Sequence, residues 1–424
     1  MQLEQEDIPQ LQKAILDINN NYLHGDKVAN MQFADVPLPN TEIWQRAKAA
    51  REQGFTRRFQ IGGNYFNWYI SNGLEAVLHE LDIALAGGLI VKENLREKDE
   101  HPFFINAVTD ESIASAQLSG HNIAKKTARE MLLKKRPEAN KNEQATYNIF
   151  QAVQQLGDAK NEPLSPERLL QMQQQLGKNV LRKKSVEAWR AKDTIKSHVF
   201  KNIPGYALPP VATLPDAMQQ FCDFYNDVNQ TVFIHPVVKS AIIHYLVIYL
   251  KPFADGNGRL ARLLAHGYLL RKGYWVMDYI SVTHAISRLK PQYSKTLVLS
   301  ASDGNQLGYF IHYYIQCLRM AYPSLRQSLQ KKVLQASVGN FKKVTGLNER
   351  QAAVLQWLTE DAAKIVTIRE LRSGFGVSKE TARTDLNLLQ EKGFLKTYNL
   401  NKKTYAFIKG DGFDAMIHEI PKRN

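Results

Sequence analysis

At 424 residues and 44% hydrophobic content the chain is too long for one typical domain and apolar enough for a full core, so two or three domains are expected. A formal charge of +14 on an ordinary 23% charged fraction points to polyanionic partners such as nucleic acid, nucleotides or acidic proteins, beside the plain case of a soluble basic protein. The two cysteines, Cys222 and Cys317, each sit inside an amphipathic helical pattern, which argues against a disulfide framework and for buried thiols in a reducing cytoplasm.

The opening MQLEQEDIPQ is acidic and lacks the basic and apolar regions of a signal peptide, and the most apolar run, AIIHYLVIYL, is too short to span a bilayer. A cytoplasmic protein with no membrane partner is therefore expected. Residues 1–104 read as a helical cap region, in which RRFQIGGNYFNWYI places Gly62 and Gly63 between aromatic runs and predicts a short hairpin. Apolar residues recur at three- and four-residue intervals in SNGLEAVLHELDIALAGG, DAMQQFCDFYNDV and HPVVKSAIIHYLVIYL, which predicts helices. KDTIKSHVFKNIPGYALPPVATLPDAM interrupts them with β-favouring residues and prolines, and predicts an extended flap whose edge can pair with a peptide, or a plain connecting loop.

Further on, NERQAAVLQWLTED, TIRELRSGFG and SKETARTDLNLLQEKGFL predict three helices, the last N-capped by Ser378, and KTYNLNKKTYAFIKG predicts two strands around a basic turn. Three helices and a hairpin make a winged helix-turn-helix over 340–424. The second helix of the helix-turn-helix pair, SKETARTDLNLLQEKG, would present Ser378, Lys379, Thr381, Arg383 and Thr384 to a major groove, with Lys402 and Lys403 of the wing on phosphates. Glu380 and Asp385 on that helix weaken the electrostatic case, and such domains also serve in dimerisation or protein docking.

The stretch PFADGNGRLAR carries the chemistry. Gly256 and Gly258 flank Asn257 at a helix start, where the lack of a Cβ permits close backbone approach, and unsatisfied amides with the helix dipole favour an anion. Arg259 and Arg262 share one helix face and can clamp phosphate oxygens, while Asp255 can hold a Mg²⁺ that bridges phosphates. With Phe253 as aromatic anchor, this outlines a diphosphate or triphosphate site; two arginines on one helix are otherwise a solvated face.

The stretch resembles the signature of the Fic (Fido) family, His-x-Phe-x-Asp/Glu-Gly-Asn-Gly-Arg-x-x-Arg, and matches every specified position except the first, where Lys251 stands. The resemblance implies a mainly α fold: a helical Fic core at 105–330 with a short β-hairpin flap, accompanied by the winged helix-turn-helix. It implies transfer of AMP from ATP, with Mg²⁺, to a Ser, Thr or Tyr hydroxyl of a target protein. Phe253 would anchor the loop, Asp255 would bind Mg²⁺, Gly256, Asn257 and Gly258 would hold phosphates, and Arg259 and Arg262 would face the leaving pyrophosphate. Tyr293 would lie near the adenine, and the flap at Ser197, His198 and Val199 would pair with the target backbone.

Two positions depart from the family pattern. The family's histidine is the general base, and an unperturbed lysine, with a pKa of about 10.4, has no lone pair to offer near neutrality. Burial beside Arg259 and Arg262 would lower that pKa, whereas a bound triphosphate would oppose the shift. The second departure lies in ESIASAQLSGHN, residues 111–122, which resembles the family's autoinhibitory helix. There Ser115 and Gly120 match, but Ser119 replaces the glutamate that pairs with the second motif arginine, so Arg262 is expected to be free for phosphate, with Glu111 a poor substitute. The expectation is an ATP-binding protein of adenylyltransferase (AMPylation) ancestry with weak or absent transfer. The alternatives are an active transferase using another base such as His198 or His121, and a DNA-binding regulator in which the Fic core senses nucleotide or forms a homodimer.

Overall fold

The computed structural model describes residues 7–33, 35–54, 57–87, 102–193, 199–200, 203, 206, 208–228, 230–323, 325, 347–361, 364–401, 404–413 and 416. The chain divides into two compact units, Met1–Leu325 and Arg326–Asn424.

In the first unit, α1 (Ile8–Asn20), the single turn α2 (Gly25–Val28) and α3 (Asn40–Gln53) bury a stripe of their own made of Leu11, Ile18, Val28, Ile43 and Ala47. The expected hairpin follows: β1 (Arg57–Ile61) pairs antiparallel with β2 (Asn64–Trp68), from Arg57 opposite Trp68 to Ile61 opposite Asn64. Gly62 and Gly63 between them have φ of 56° and 78°, the backbone a two-residue turn needs to match strand twist.

The helical body comprises α4 (Asn72–Leu85), α5 (Pro102–Leu118), α6 (Lys125–Leu133), α7 (Lys141–Ala159), α8 (Pro166–Gly177), α9 (Leu214–Tyr225), α10 (Pro236–Leu250), α11 (Asn257–Arg271), α12 (Val282–Arg288), α13 (Lys290–Ser302) and α14, at 308–323. The helix α10 organises it. Every residue from Val237 to Leu250 is buried, as a helix apolar on all sides requires. Next to it lies α11, buried from Arg259 to Leu270, and α5, α7 and α8 pack on α11. The junction of these two central helices is the glycine-containing motif. Cys222 and Cys317 are buried free thiols, and burial pushes both up to about 12.

The expected flap lies largely outside the described residues. Among the described residues of 192–213 there is no strand, and a 3₁₀ turn (Val211–Thr213) leads into α9. Prolines 204, 209 and 210 cannot donate to a ladder, and the amide of Val211 donates instead to Asp193 Oδ1 at 2.6 Å. Ser197 and His198 lie outside the described residues; Val199 is half-buried in a bend.

In the second unit, α15 (Glu349–Glu360), α16 (Ile368–Phe375) and α17 (Lys379–Glu391) pack with the antiparallel pair β3 (Leu395–Asn401) and β4 (Thr404–Lys409) around Val354, Leu358, Leu371, Leu386 and Phe407. As expected, Ser378 caps α17, accepting from the amide of Thr381 at 3.0 Å. Val366 bridges to Phe407 as a third edge, so the unit is a winged helix-turn-helix. Among the described residues of the whole chain, no helix is long and apolar enough to cross a membrane.

Candidate active site

The motif loop is built by the end of one buried helix and the start of the next. Lys251 closes α10 in a left-handed conformation, φ 45° and ψ 64°, and its amide donates to Val247 O at 3.2 Å. The fully buried ring of Phe253 packs against Trp189 at 4.9 Å between centroids. Gly256 then takes φ 85° as the N-cap of α11. The side chain of Asn257 spans the turn, donating to Phe253 O at 2.8 Å and accepting from Phe253 N at 3.0 Å. It therefore braces the loop, while its main-chain amide stays open.

Two residues with no place in the motif hold this loop from outside. Gln173 of α8, fully buried, donates to Asp255 O at 2.8 Å. Arg190, 2% exposed, donates through Nε to Lys251 O at 3.0 Å and through Nη2 to Pro209 O, and its amide donates to Pro252 O at 2.9 Å. One guanidinium thus ties the motif to the base of the flap. No local pattern marks either residue; their roles depend on segments 61 to 82 positions away in the chain.

The helix start presents open hydrogen-bond donors. The amides of Asn257 and Gly258 make no hydrogen bond among the described residues, while that of Gly256 donates to Asp255 Oδ1 at 2.6 Å. Arg259, buried, spends Nη1 on Leu176 O at 3.1 Å, but its Nε is enclosed without a partner. Burial lowers its pKa to about 10, which leaves it charged near neutrality. Such orphaned donors, beside an exposed Asp255 carboxylate and two open helix amides, fit the phosphates and Mg²⁺ of a nucleotide.

Arg262 corrects the expectation that it stands free. Its Nε donates to Ser115 Oγ at 2.8 Å, and its Nη2 donates to Ser115 O at 2.9 Å and Ser119 Oγ at 2.7 Å. A hydroxyl cannot form an ion pair, yet three hydrogen bonds from one turn of α5 satisfy a buried guanidinium. The two arginines have different partners: Arg259 is held by the end of α8, Arg262 by Ser115 of α5 and Ser119 just beyond it. Gly258 permits the second arrangement, since a Cβ there would lie 3.3 Å from Arg262 Nη1. Gly120, φ 87°, ends the α5 segment. Glu111 is not a substitute for the missing glutamate; it accepts from Ser281 Oγ (2.8 Å), Thr283 N (3.0 Å) and Thr283 Oγ1 at the start of α12.

Tyr293 is buried within electrostatic reach of Arg262, and its hydroxyl shares a 2.9 Å hydrogen bond with Nε2 of His244. Burial, then Arg262, pushes His244 down to about 3, so the ring is neutral. His121, half-buried and 3.3 Å from Asn142 Oδ1, lies within electrostatic reach of Arg259 and Asp255, and its pKa is lowered by burial and by Arg259.

Lys251 is half-buried, and its ammonium makes no hydrogen bond or ion pair among the described residues. Burial alone lowers it to about 8; the expected contribution from Arg259 and Arg262 is absent.

Residues 163–269 match the Fic/DOC family, and residues 350–399 match the DeoR-like helix-turn-helix domain. The chain carries a Fic domain. Over 72 residues, 17% of the chain, it is 39% identical to a protein adenylyltransferase Fic of Drosophila willistoni, covering 14% of that protein. Over 79 residues, 19% of the chain, it is 38% identical to the enzyme of the same name in Aedes aegypti, covering 15% of it. The solved structure of C. elegans Fic-1 superposes with a TM-score of 0.53 at 14% identity, over 77% of this chain and 86% of that one, which bears out the mainly helical Fic fold.

In the helix-turn-helix, Lys379, Arg383 and Thr384 are exposed on α17, and Thr381 is half-buried. Lys402 and Lys403 lie outside the described residues. Asp385, expected on the reading face, is buried and accepts from Asn348 Nδ2 at 2.6 Å and from Arg350 Nε. Only Glu380 of the two acids remains exposed on that helix.

Proposed function

We propose that the Fic domain binds ATP with Mg²⁺ and transfers AMP to a hydroxyl of a target protein only slowly. The observation that carries this is the coexistence of an intact anion cradle with a cation at the base position. ATP supplies an activated phosphorus with pyrophosphate as leaving group. The amides of Asn257 and Gly258 and the open Nε of Arg259 would hold phosphate oxygens, and Asp255 would hold Mg²⁺. Arg262 would reach them by exchanging its contacts with Ser115 and Ser119 for phosphate. The attacking hydroxyl must lose its proton, and Lys251, with a pKa of about 8, is an amine in only a minority of molecules at neutrality. The relatives named adenylyltransferases share the core over a seventh of their length, which supports this ancestry.

Calorimetric titration with ATP and Mg²⁺, run beside Gly258→Glu to block the cradle, tests binding; a wild-type chain that takes up no ATP removes the reading. Labelled ATP then tests transfer, which Lys251→His should raise by about tenfold or more. Equal label in the wild type and Lys251→His would show that the base does not limit the reaction.

A second reading concerns the C-terminal unit. With Asp385 turned inward, the exposed side of α17 carries Lys379 and Arg383, and this favours DNA binding through the helix-turn-helix. Binding to duplex DNA should weaken steeply with salt and fall in Lys379→Glu/Arg383→Glu; absence of affinity at low salt excludes it.

A further inference from the structure

We propose a second anion site, separate from the motif, in the crevice between the end of α1, the start of α4, α13 and α14, which takes a small ligand carrying two or more phosphate charges. The crevice encloses about 880 Å³, within the range of small-molecule pockets. Its wall carries Lys27, Lys295, Arg319 and His24, and no carboxylate side chain lines it. Lys27 and Lys295 make no ion pair among the described residues. Arg319 leans on Glu80 at 3.7 Å and His24 on Asp26 at 3.4 Å, both contacts with an exposed acid that water weakens.

A second observation comes from the inner wall. His312 lines that wall, and its Nε2 is fully enclosed with no hydrogen-bond partner, so it would meet a ligand only after a shift of the ring. Burial and then Arg51 push this ring down to about 4, so it is a neutral hydrogen-bonding group. Exposed Lys27 and Lys295, with Arg319, line this one concave surface and give it a positive potential that an anion relieves.

The site is not the back of the motif. Gln292, Lys295 and Thr296 of α13 line the crevice, whereas Tyr293 on the same turn is 9% exposed and bonded to His244. Nor is every cavity of this size basic. The cavity of about 1080 Å³ beside β1 and β2 is lined by Glu75 and Asp223, and its Lys239 is already bound by Asp227.

The test is calorimetric titration of the full chain with inorganic pyrophosphate, in parallel with Lys27→Glu/Lys295→Glu and with Gly258→Glu, each checked by thermal unfolding. The wild type should bind, the double variant should lose about tenfold or more, and a component should persist in Gly258→Glu. Should the charge reversal fail to fold, Lys27→Gln/Lys295→Gln should show a smaller loss in the same direction. Loss confined to Gly258→Glu, equal binding in all variants, or no binding by the wild type would overturn the proposal.

Discussion

In the proposed reaction Lys251 stands where a base would reach the attacking hydroxyl, and burial has carried its ammonium down to about 8. Deprotonation creates the base, so transfer should increase with pH. About a tenth of the side chains are neutral at pH 7 and roughly nine-tenths at pH 9, so the rate should climb nearly tenfold over that interval. A bound triphosphate moves the inflection upward. A pH–rate profile that bends below 7, or that survives in Lys251→Ala, would assign the proton to another group, with His121, within electrostatic reach of Arg259 and Asp255, a candidate. Ser119 Oγ accepts from Arg262 Nη2 at 2.7 Å. Replacing its hydroxyl by a carboxylate in Ser119→Glu would turn a neutral hydrogen bond into a charge-assisted one and keep Arg262 from phosphate. ATP affinity should drop by about tenfold or more in calorimetry, and unchanged affinity would mean that Arg262 does not contact the nucleotide.

At the scale of the elements, the junction of α10 and α11 depends on backbone that only certain residues supply. Gly256 stands at φ 85°, and a Cβ there would lie 2.8 Å from Gln173 Nε2, the atom that holds Asp255 O. Gly256→Ala therefore adds left-handed strain to a lost brace, and should cost about 1–3 kcal/mol in denaturant unfolding. A change within about 0.5 kcal/mol would show that the loop adapts. The helix start, the glycines and the arginine spacing were all legible in PFADGNGRLAR, because capping and phosphate recognition are local. That Asn257 is a brace, that Arg190 and Gln173 fasten the loop, and that Arg262 is already engaged by α5 were not. Each of these depends on which distant helix packs alongside, and sequence spacing carries no record of that.

At the scale of the whole molecule, the two units obey different rules. The winged helix-turn-helix is held by local caps and one compact core, so its helices and hairpin could be read almost element by element. Its internal ion pair could not: Asp385 is 3% exposed and joined to Arg350 and Asn348. Asp385→Ala should lower the stability of this unit by about 1–3 kcal/mol, read from its thermal transition, because Arg350 and Asn348 lose their acceptor. An unchanged transition would demote the pair to a surface contact.

The order of residues by itself determined the helical character of this protein, the turn at Gly62 and Gly63, the glycine-flanked helix start and the three-helix-and-hairpin C-terminus, since each follows from periodicity, capping or backbone freedom within a few positions. Tertiary structure alone decided the ionisation of Lys251, the capture of Arg262 by Ser115 and Ser119, and the inward turn of Asp385. Desolvation and long-range hydrogen bonding arise only when separate segments close around a group.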